Sequence, residues 1–201
     1  MILQHAKYIE LAMTLLRLAN TQLPQWVRWI PPTEGFYKLS SNGSHKSMNG
    51  VANAQVLIRY SLGHKIVGFM VNIGHASILI AKPWGMKAGL HLCHELGITK
   101  VVAEITKVVA EMNSLIAIHF VHEGRELDNL VAPLLSNIRS LMTKLESCIL
   151  QHTLQEVNAA VDFLASLGHS SPLGLCILDS LPNGLQPILL GDQNGASFLR
   201  T

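Results

Sequence analysis

The feature that most constrains the fold of this chain is a change of residue periodicity near residue 35. Before it, residues 22–34 contain three prolines and two tryptophans, and prolines at this density predict a linker without regular structure. After it, polar and apolar residues alternate over 36–40, 51–60 and 65–72, with turn-forming residues between these runs. The pattern predicts three short strands in an antiparallel meander.

The pattern then changes to an alternation of helices and strands. Residues 84–95 carry apolar side chains at helical spacing, Gly97 is placed as the C-terminal cap, and residues 98–104 predict a short buried strand. Later segments predict helices over 107–115, 130–145 and 157–167, a strand over 148–154 and a loop over 119–128. Helices that alternate with strands pack on the faces of a sheet. The sequence therefore predicts an α/β fold, with a mixed five-stranded sheet and helices on both faces.

The ends of the chain predict two segments that flank an α/β domain of residues 29–168. Residues 1–28 read as an N-terminal amphipathic helix, to about residue 22, followed by the linker. Residues 169–201 contain three prolines and short apolar clusters, which predict a partly ordered C-terminal extension. Charged residues interrupt the N-terminal segment and no run of about 18 apolar residues occurs, so neither a signal peptide nor a membrane span is predicted.

Cysteine usage and net charge add two further expectations. The three cysteines are far apart and form no CxxC pair, which favours reduced thiols in an intracellular protein, without separating nucleus from cytoplasm. The formal net charge of +2 permits contact with nucleic acid but does not argue for it.

Four stretches, in the expected order, resemble the type 1 ribonuclease H domain of plant retroelement origin. They are WIPPTEGFYKLSSNGS, GFMVNIGHASILIAKPWGMKAGLHLCHELGI, APLLSNIRSLM and LQHTLQEVNAAVDFLASLG, and the resemblance spans residues 29–168. The resemblance implies the ribonuclease H fold, binding of an RNA–DNA hybrid, and hydrolysis of its RNA strand by two divalent cations held by carboxylates. Magnesium requires such hard anionic oxygen ligands.

The resemblance also indicates which carboxylates this chain has lost. The four family positions fall on Asn42, Lys82, Thr106 and Asp162, so that Asp162 alone is retained. Asn42 could offer a metal a carbonyl oxygen but no charge. The family histidine falls on His152, ten positions before Asp162. The expected consequence is weak Mg²⁺ binding and impaired or absent cleavage.

Lys82 is the most damaging of these replacements. An ammonium about 4 Å from another cation is repelled by roughly 4 kcal/mol at an effective dielectric near 20, unless the side chain extends into solvent. Pro83 predicts either that the helix begins at Pro83 or that its first turn is strained. Glu104 lies near Thr106 and could partly compensate as a metal ligand, but neighbouring strand residues point to opposite faces, which disfavours that role.

Each candidate also has a structural interpretation. Asp162 suits the first turn of a helix through the helix dipole, and His152 could be a hydrogen-bonded or solvated residue. Trp26 and Trp29 could stack on bases, although packing against the domain is the preferred interpretation.

Three functions remain open at this level. The favoured one is a catalytically impaired, ribonuclease H-like module that binds a hybrid or duplex weakly. The alternatives are an active hybrid ribonuclease with an atypical site, and a structural or protein-interaction remnant of a retroelement. The oligomeric state is left open by the sequence.

Overall fold

A six-stranded mixed sheet forms the centre of the computed structural model, which describes residues 24–46, 50–106, 131–168 and 171–200. Its strands, β2 to β7, are Tyr37–Lys46, Val51–Tyr60, Lys65–His75, Lys100–Thr106, Ser147–Thr153 and Gly174–Ile177. Their spatial order is β6-β5-β2-β3-β4-β7. Strands β5 and β6 run parallel to β2, whereas β3, β4 and β7 continue the sheet in antiparallel pairs. Two further strands, β1 (Gln25–Arg28) and β8 (Ser197–Arg200), form a separate antiparallel ribbon.

Helices cover both faces of this sheet. They are α1 (Ile78–Glu95), α2 (Ala132–Thr143), α3 (Ala159–Gly168) and α4 (Leu185–Gln193), with a 3₁₀ helix at Gln155–Asn158. Successive strand residues point to opposite faces, and β3 shows the result. Val56 and Ile58 are buried in the core beneath α1 and α2, whereas Leu57 is buried in the core beneath α3 and α4.

The predicted mixed sheet with helices on both faces is confirmed, with one strand more than expected. The additional strand is β7, in which Leu175 pairs with Val71 at the edge of the sheet. Its four residues are too few to show a sequence period, which is why the C-terminal extension gave no strand signal. Strand β1 likewise lies within the predicted linker, because Pro24 and Pro31 flank it instead of interrupting it.

A buried ion pair attaches the C-terminal extension to the sheet. The Arg59 Nη1 atom of β3 lies 2.5 Å from the Asp192 Oδ2 atom of α4, and both side chains are buried. The Arg59 guanidinium also lies 3.9 Å from the ring centre of Trp29. The sheet, Trp29 and α4 therefore meet at Arg59. The interpretation that Trp29 packs against the domain is confirmed.

Some predictions fall outside the described residues. These are the N-terminal helix, and the helix and loop predicted over 107–128. Within the described ranges, no helix combines the length and apolarity that crossing a membrane requires.

Candidate functional site

A close contact between α1 and β2 places Lys82 beside Asn42. A Cβ atom added to Gly43 of β2 would lie 2.5 Å from the backbone nitrogen of Lys82 and 2.6 Å from the carbonyl carbon of Ala81. Real side chains do not pack at such distances, so glycine is required for this approach. The contact fixes the position of Lys82 relative to the end of β2.

Helix α1 begins earlier than the proline signal predicts. Its first residue is Ile78, after an extended Ser77, and Pro83 lies inside the helix. A proline there removes the main-chain bond to the carbonyl of Leu79 four residues before it, a cost that the packing of α1 against the sheet offsets. Lys82 is therefore a helical residue that is only 6% exposed. The alternative in which its ammonium extends into solvent is wrong.

Asn42 and Asp162 are in direct contact, although 120 residues separate them. The Asn42 Nδ2 atom donates a hydrogen bond of 2.6 Å to Asp162 Oδ1. The side-chain carbonyl oxygen of Asn42, Oδ1, accepts a 2.8 Å hydrogen bond from the backbone N–H of Gly43. The carbonyl oxygen that could have faced a metal is therefore engaged with the chain's own backbone.

Burial dominates the electrostatics of this cluster. It lowers the pKa of Lys82 to about 8, and attraction to Asp162 offsets part of that effect. Burial also raises the pKa of Asp162, against hydrogen bonds from Gln155 and Asn42 and the charge of Lys82. Sequence reasoning missed Gln155, because no local pattern indicates that the 3₁₀ helix turns this side chain back to Asp162.

Thr106 and His152, the two remaining family positions, lie at the same end of the sheet according to the strand register. Ser41 pairs with Ile105, so Thr106 continues β5 next to Asn42. His152 pairs with Ile105 on the opposite side, in the edge strand β6. Asn42, Lys82 and Asp162 therefore converge through their side chains, and Thr106 and His152 are placed nearby by backbone register.

Glu104 lies on the same face of the sheet as Asn42, so the expectation of opposite faces is wrong. It pairs with Ser40, two residues before Asn42 on β2, and residues two apart share a face. Its carboxylate is engaged elsewhere. Glu104 Oε1 lies 2.8 Å from Lys38 Nζ and accepts a 2.9 Å hydrogen bond from Gln151.

These residues do not fit a two-metal site. Asn42 contributes no charge, Lys82 contributes a cation, and Asp162 is the one carboxylate among these three residues. Nowhere in the described ranges do three or more histidine, cysteine, aspartate or glutamate side chains group closely enough to hold a metal ion. Magnesium requires several hard anionic oxygens, so this arrangement is a poor ligand set.

Comparisons with known proteins agree with this fold. The sequence model of a family described as reverse transcriptase-like matches residues 40–168, more than half of the chain. The chain is 24% identical over 183 residues to an Arabidopsis thaliana protein named "Putative ribonuclease H protein", covering 91% of this chain and 28% of that protein.

Two solved structures add to these matches. RNase H1 from the halophilic archaeon Halobacterium salinarum NRC-1 is 14% identical, with a TM-score of 0.58, covering 67% of this chain and 97% of that one. LC11-RNase H1, solved in complex with an RNA/DNA hybrid, is 17% identical, with a TM-score of 0.53, covering 64% and 92%. At these identities the likeness concerns the fold.

Proposed function

We propose that this chain, which belongs to the reverse transcriptase-like family and has a ribonuclease H-like domain of the plant retroelement type, is a nucleic-acid-binding module with impaired hybrid cleavage. The observation that carries the proposal is the hydrogen bond from Asn42 to Asp162 beside the buried Lys82. An amide and an ammonium occupy positions at which the family resemblance places carboxylates.

Charge makes these replacements costly for cleavage. With Lys82 and Asp162 both ionised, the three side chains sum to no net charge, whereas two-metal hydrolysis needs a strongly anionic site. Because the pKa of Lys82 is lowered to about 8, a bound metal would displace the Lys82 proton instead of meeting a repulsion of roughly 4 kcal/mol per unit charge at about 4 Å. A neutral amine and an amide would still supply neither of the two negative charges that the family carboxylates bring. An active ribonuclease built on Glu104 is disfavoured, because Lys38 and Gln151 already bind that carboxylate.

Binding places weaker demands on the site than cleavage does. A hybrid is held largely through its phosphates and shape, by surface contacts spread over a domain. The structural relative LC11-RNase H1 was solved with an RNA/DNA hybrid, which motivates the choice of ligand. The chain spans 28% of the length of its curated relative, so activities of that whole protein extend beyond this module.

The test combines a binding assay with a cleavage assay on the same purified chain. We expect salt-dependent binding of an RNA–DNA hybrid by fluorescence anisotropy, and no cleavage with either Mg²⁺ or Mn²⁺. The double variant Asn42→Asp/Lys82→Glu restores two carboxylates beside Asp162, and we expect it to gain Mg²⁺-dependent thermal stabilisation and hybrid cleavage.

A matched control separates the site from net charge. Asn42→Asp/Lys87→Glu introduces the same charges on β2 and α1 but leaves Lys82 in place, and we expect it to gain neither property. Robust Mg²⁺-dependent cleavage by the unaltered chain would contradict the impairment. If Asp162→Asn then abolished that cleavage, the atypical active site would be the correct alternative.

A further inference from the structure

A groove of about 720 Å³ lies between residues 26–33 and the edge of the sheet that β5 and β6 form. One wall comes from β1 and the proline-rich residues that follow it, and the other comes from β6 and the 3₁₀ helix. This volume is within the range of pockets that bind small organic groups. Trp26, Val27 and Arg28 of the first wall precede both residue 29, where the resemblance begins, and residue 40, where the family match begins.

The two tryptophans of this segment have opposite environments. Trp29 is 2% exposed and packs beneath Arg59 and Lys38 at the base of the groove. Trp26 also lines the groove but is 71% exposed. Its strand is held by pairing with β8, where Trp26 lies opposite Leu199. A large aromatic ring is thus presented to solvent on a fixed strand.

The polar residues on the sheet wall of the groove suit a nucleobase better than a phosphate. Lys38 and Glu104 form a 2.8 Å ion pair that is nearly fully buried, so together they contribute no net charge. The Gln151 and Thr153 side chains add neutral donors and acceptors to the lining. At this wall a phosphate would face the Glu104 carboxylate, whereas a base edge can use neutral donors and acceptors. Among the described lining residues the remaining cation is Arg28, which lies two residues after Trp26 on β1 and is therefore placed to contact the backbone phosphate of a nucleotide stacked on that ring.

The groove leads towards the Asn42–Lys82–Asp162 cluster. Leu154 and Val157 line it, and between them in sequence lies Gln155, whose side chain is close enough to Asp162 to act against the rise in the pKa of that carboxyl. Glu104 lines the groove two residues before the end of β5, which is next to Asn42. A nucleic-acid strand that reached the cluster could therefore extend an unpaired end into the groove.

We propose that this groove binds an unpaired base of single-stranded RNA, with the Trp26 ring stacked on the base and the Gln151 and Thr153 side chains at its edge. The inference rests on the proposed function, because it extends a nucleic-acid-binding module to a single-stranded segment. Stacking on an aromatic side chain is tolerant of base identity, so binding depends on Trp26 more than on sequence.

The experiment measures binding of a fluorescein-labelled single-stranded RNA of about ten nucleotides, and separately of an RNA–DNA hybrid, by anisotropy. We expect Trp26→Ala to weaken single-strand binding at least about fivefold, and Trp26→Phe to keep it within about twofold, because one stacked base contributes this much. Leu62→Ala is the matched control, since Leu62 is 67% exposed and lies outside the groove lining. It should change neither affinity.

The outcomes separate this inference from the proposed function. If Trp26→Ala leaves single-strand binding unchanged while the hybrid still binds, the groove assignment is overturned and the module function stands. If the single strand binds through Trp26 but the hybrid does not bind, the groove assignment holds and the hybrid binding of the proposed function fails. If sedimentation shows that Trp26→Ala abolishes self-association without affecting RNA, the groove is occupied by a second copy of the chain and the inference is overturned.

Discussion

Two lysine–carboxylate sites lie close together at β2, and they differ in how their charges are compensated. In the first, Lys38 and Glu104 are in direct contact at 2.8 Å, and Gln151 adds a hydrogen bond to the same carboxylate oxygen. In the second, the neutral amide of Asn42 donates a 2.6 Å hydrogen bond to Asp162, and the charge of Lys82 acts on the same carboxylate. Burial lowers the pKa of the neighbouring Lys82 to about 8.

The difference shows what each site does for the molecule. A buried charge that meets its partner directly is tolerated as part of the framework, and removing one member leaves the other uncompensated. At the second site, desolvation outweighs attraction for both charged groups, since the pKa of Lys82 falls and that of Asp162 rises. Such perturbed groups gather at functional sites, and here they lie at positions where the family resemblance places carboxylates.

The largest expected effect comes from breaking the first site. Glu104→Gln leaves the Lys38 ammonium buried without an anion, and we expect the free energy of unfolding to fall by about 3–5 kcal/mol. Urea denaturation at neutral pH measures this change. The shape of the side chain is retained, so the loss reports charge and not packing.

A solvent-exposed pair provides the control for this prediction. Glu146 lies 3.0 Å from Lys100, and both side chains are exposed. We expect Glu146→Gln to leave the urea midpoint unchanged, because exposed ion pairs contribute little. Equal effects of Glu104→Gln and Glu146→Gln would show that the framework interpretation of the Lys38–Glu104 pair is wrong.

The backbone architecture was more predictable from sequence than these polar contacts. Alternation predicted a strand over 65–72, and the structure has Lys65–His75. Gly97 was recognised as the helix end, and it adopts the positive φ of 68° that favours glycine there. Local periods and turn residues act over a few positions, so they can be read from a single sequence. The start of α1 was missed because packing outweighs the preference of Pro83.

The polar contacts depend on pairs that are remote in sequence. Arg59 and Asp192 are 133 residues apart, and Lys38 and Glu104 are 66 apart. No period specifies which polar side chain of one strand meets which side chain of another element. The approach of Asn42 to Asp162 was expected through the family resemblance, whereas the engagement of Glu104 with Lys38 had no signal in the sequence.

The second site should be detectable by its pH dependence. The pKa of Lys82 is about 8 in the folded chain and 10.5 ordinarily. Between these values the unfolded chain binds the proton more strongly, so stability rises with pH there, by up to about 3 kcal/mol. We expect Lys82→Met to lose this rise, as measured by urea denaturation at a series of pH values.

Other groups titrate in the same pH range and require a control. Burial raises the pKa of Cys93 to about 12 and that of Cys148 to about 11, so both thiols lower stability as pH rises above about 9. These contributions are common to the unaltered chain and the variants and cancel in the difference. Lys87→Met, on the same helix, should leave the profile unchanged. Identical profiles for Lys82→Met and the unaltered chain would contradict the burial of the Lys82 ammonium.

The smallest predicted effect concerns the contact that positions Lys82. In Gly43→Ala the new methyl group would meet the backbone of α1 at 2.5 Å from the Lys82 nitrogen, so the helix must shift. We expect a loss of stability of about 1–3 kcal/mol, as for other overpacked sites. Gly191→Ala in α4 is the control, because its methyl group would meet Ala196 at an ordinary 3.5 Å, and alanine favours helix by up to about 1 kcal/mol. If the alkaline rise in stability persists undiminished in Gly43→Ala, the close approach of α1 to β2 is not what holds the ammonium in its buried position beside Asp162.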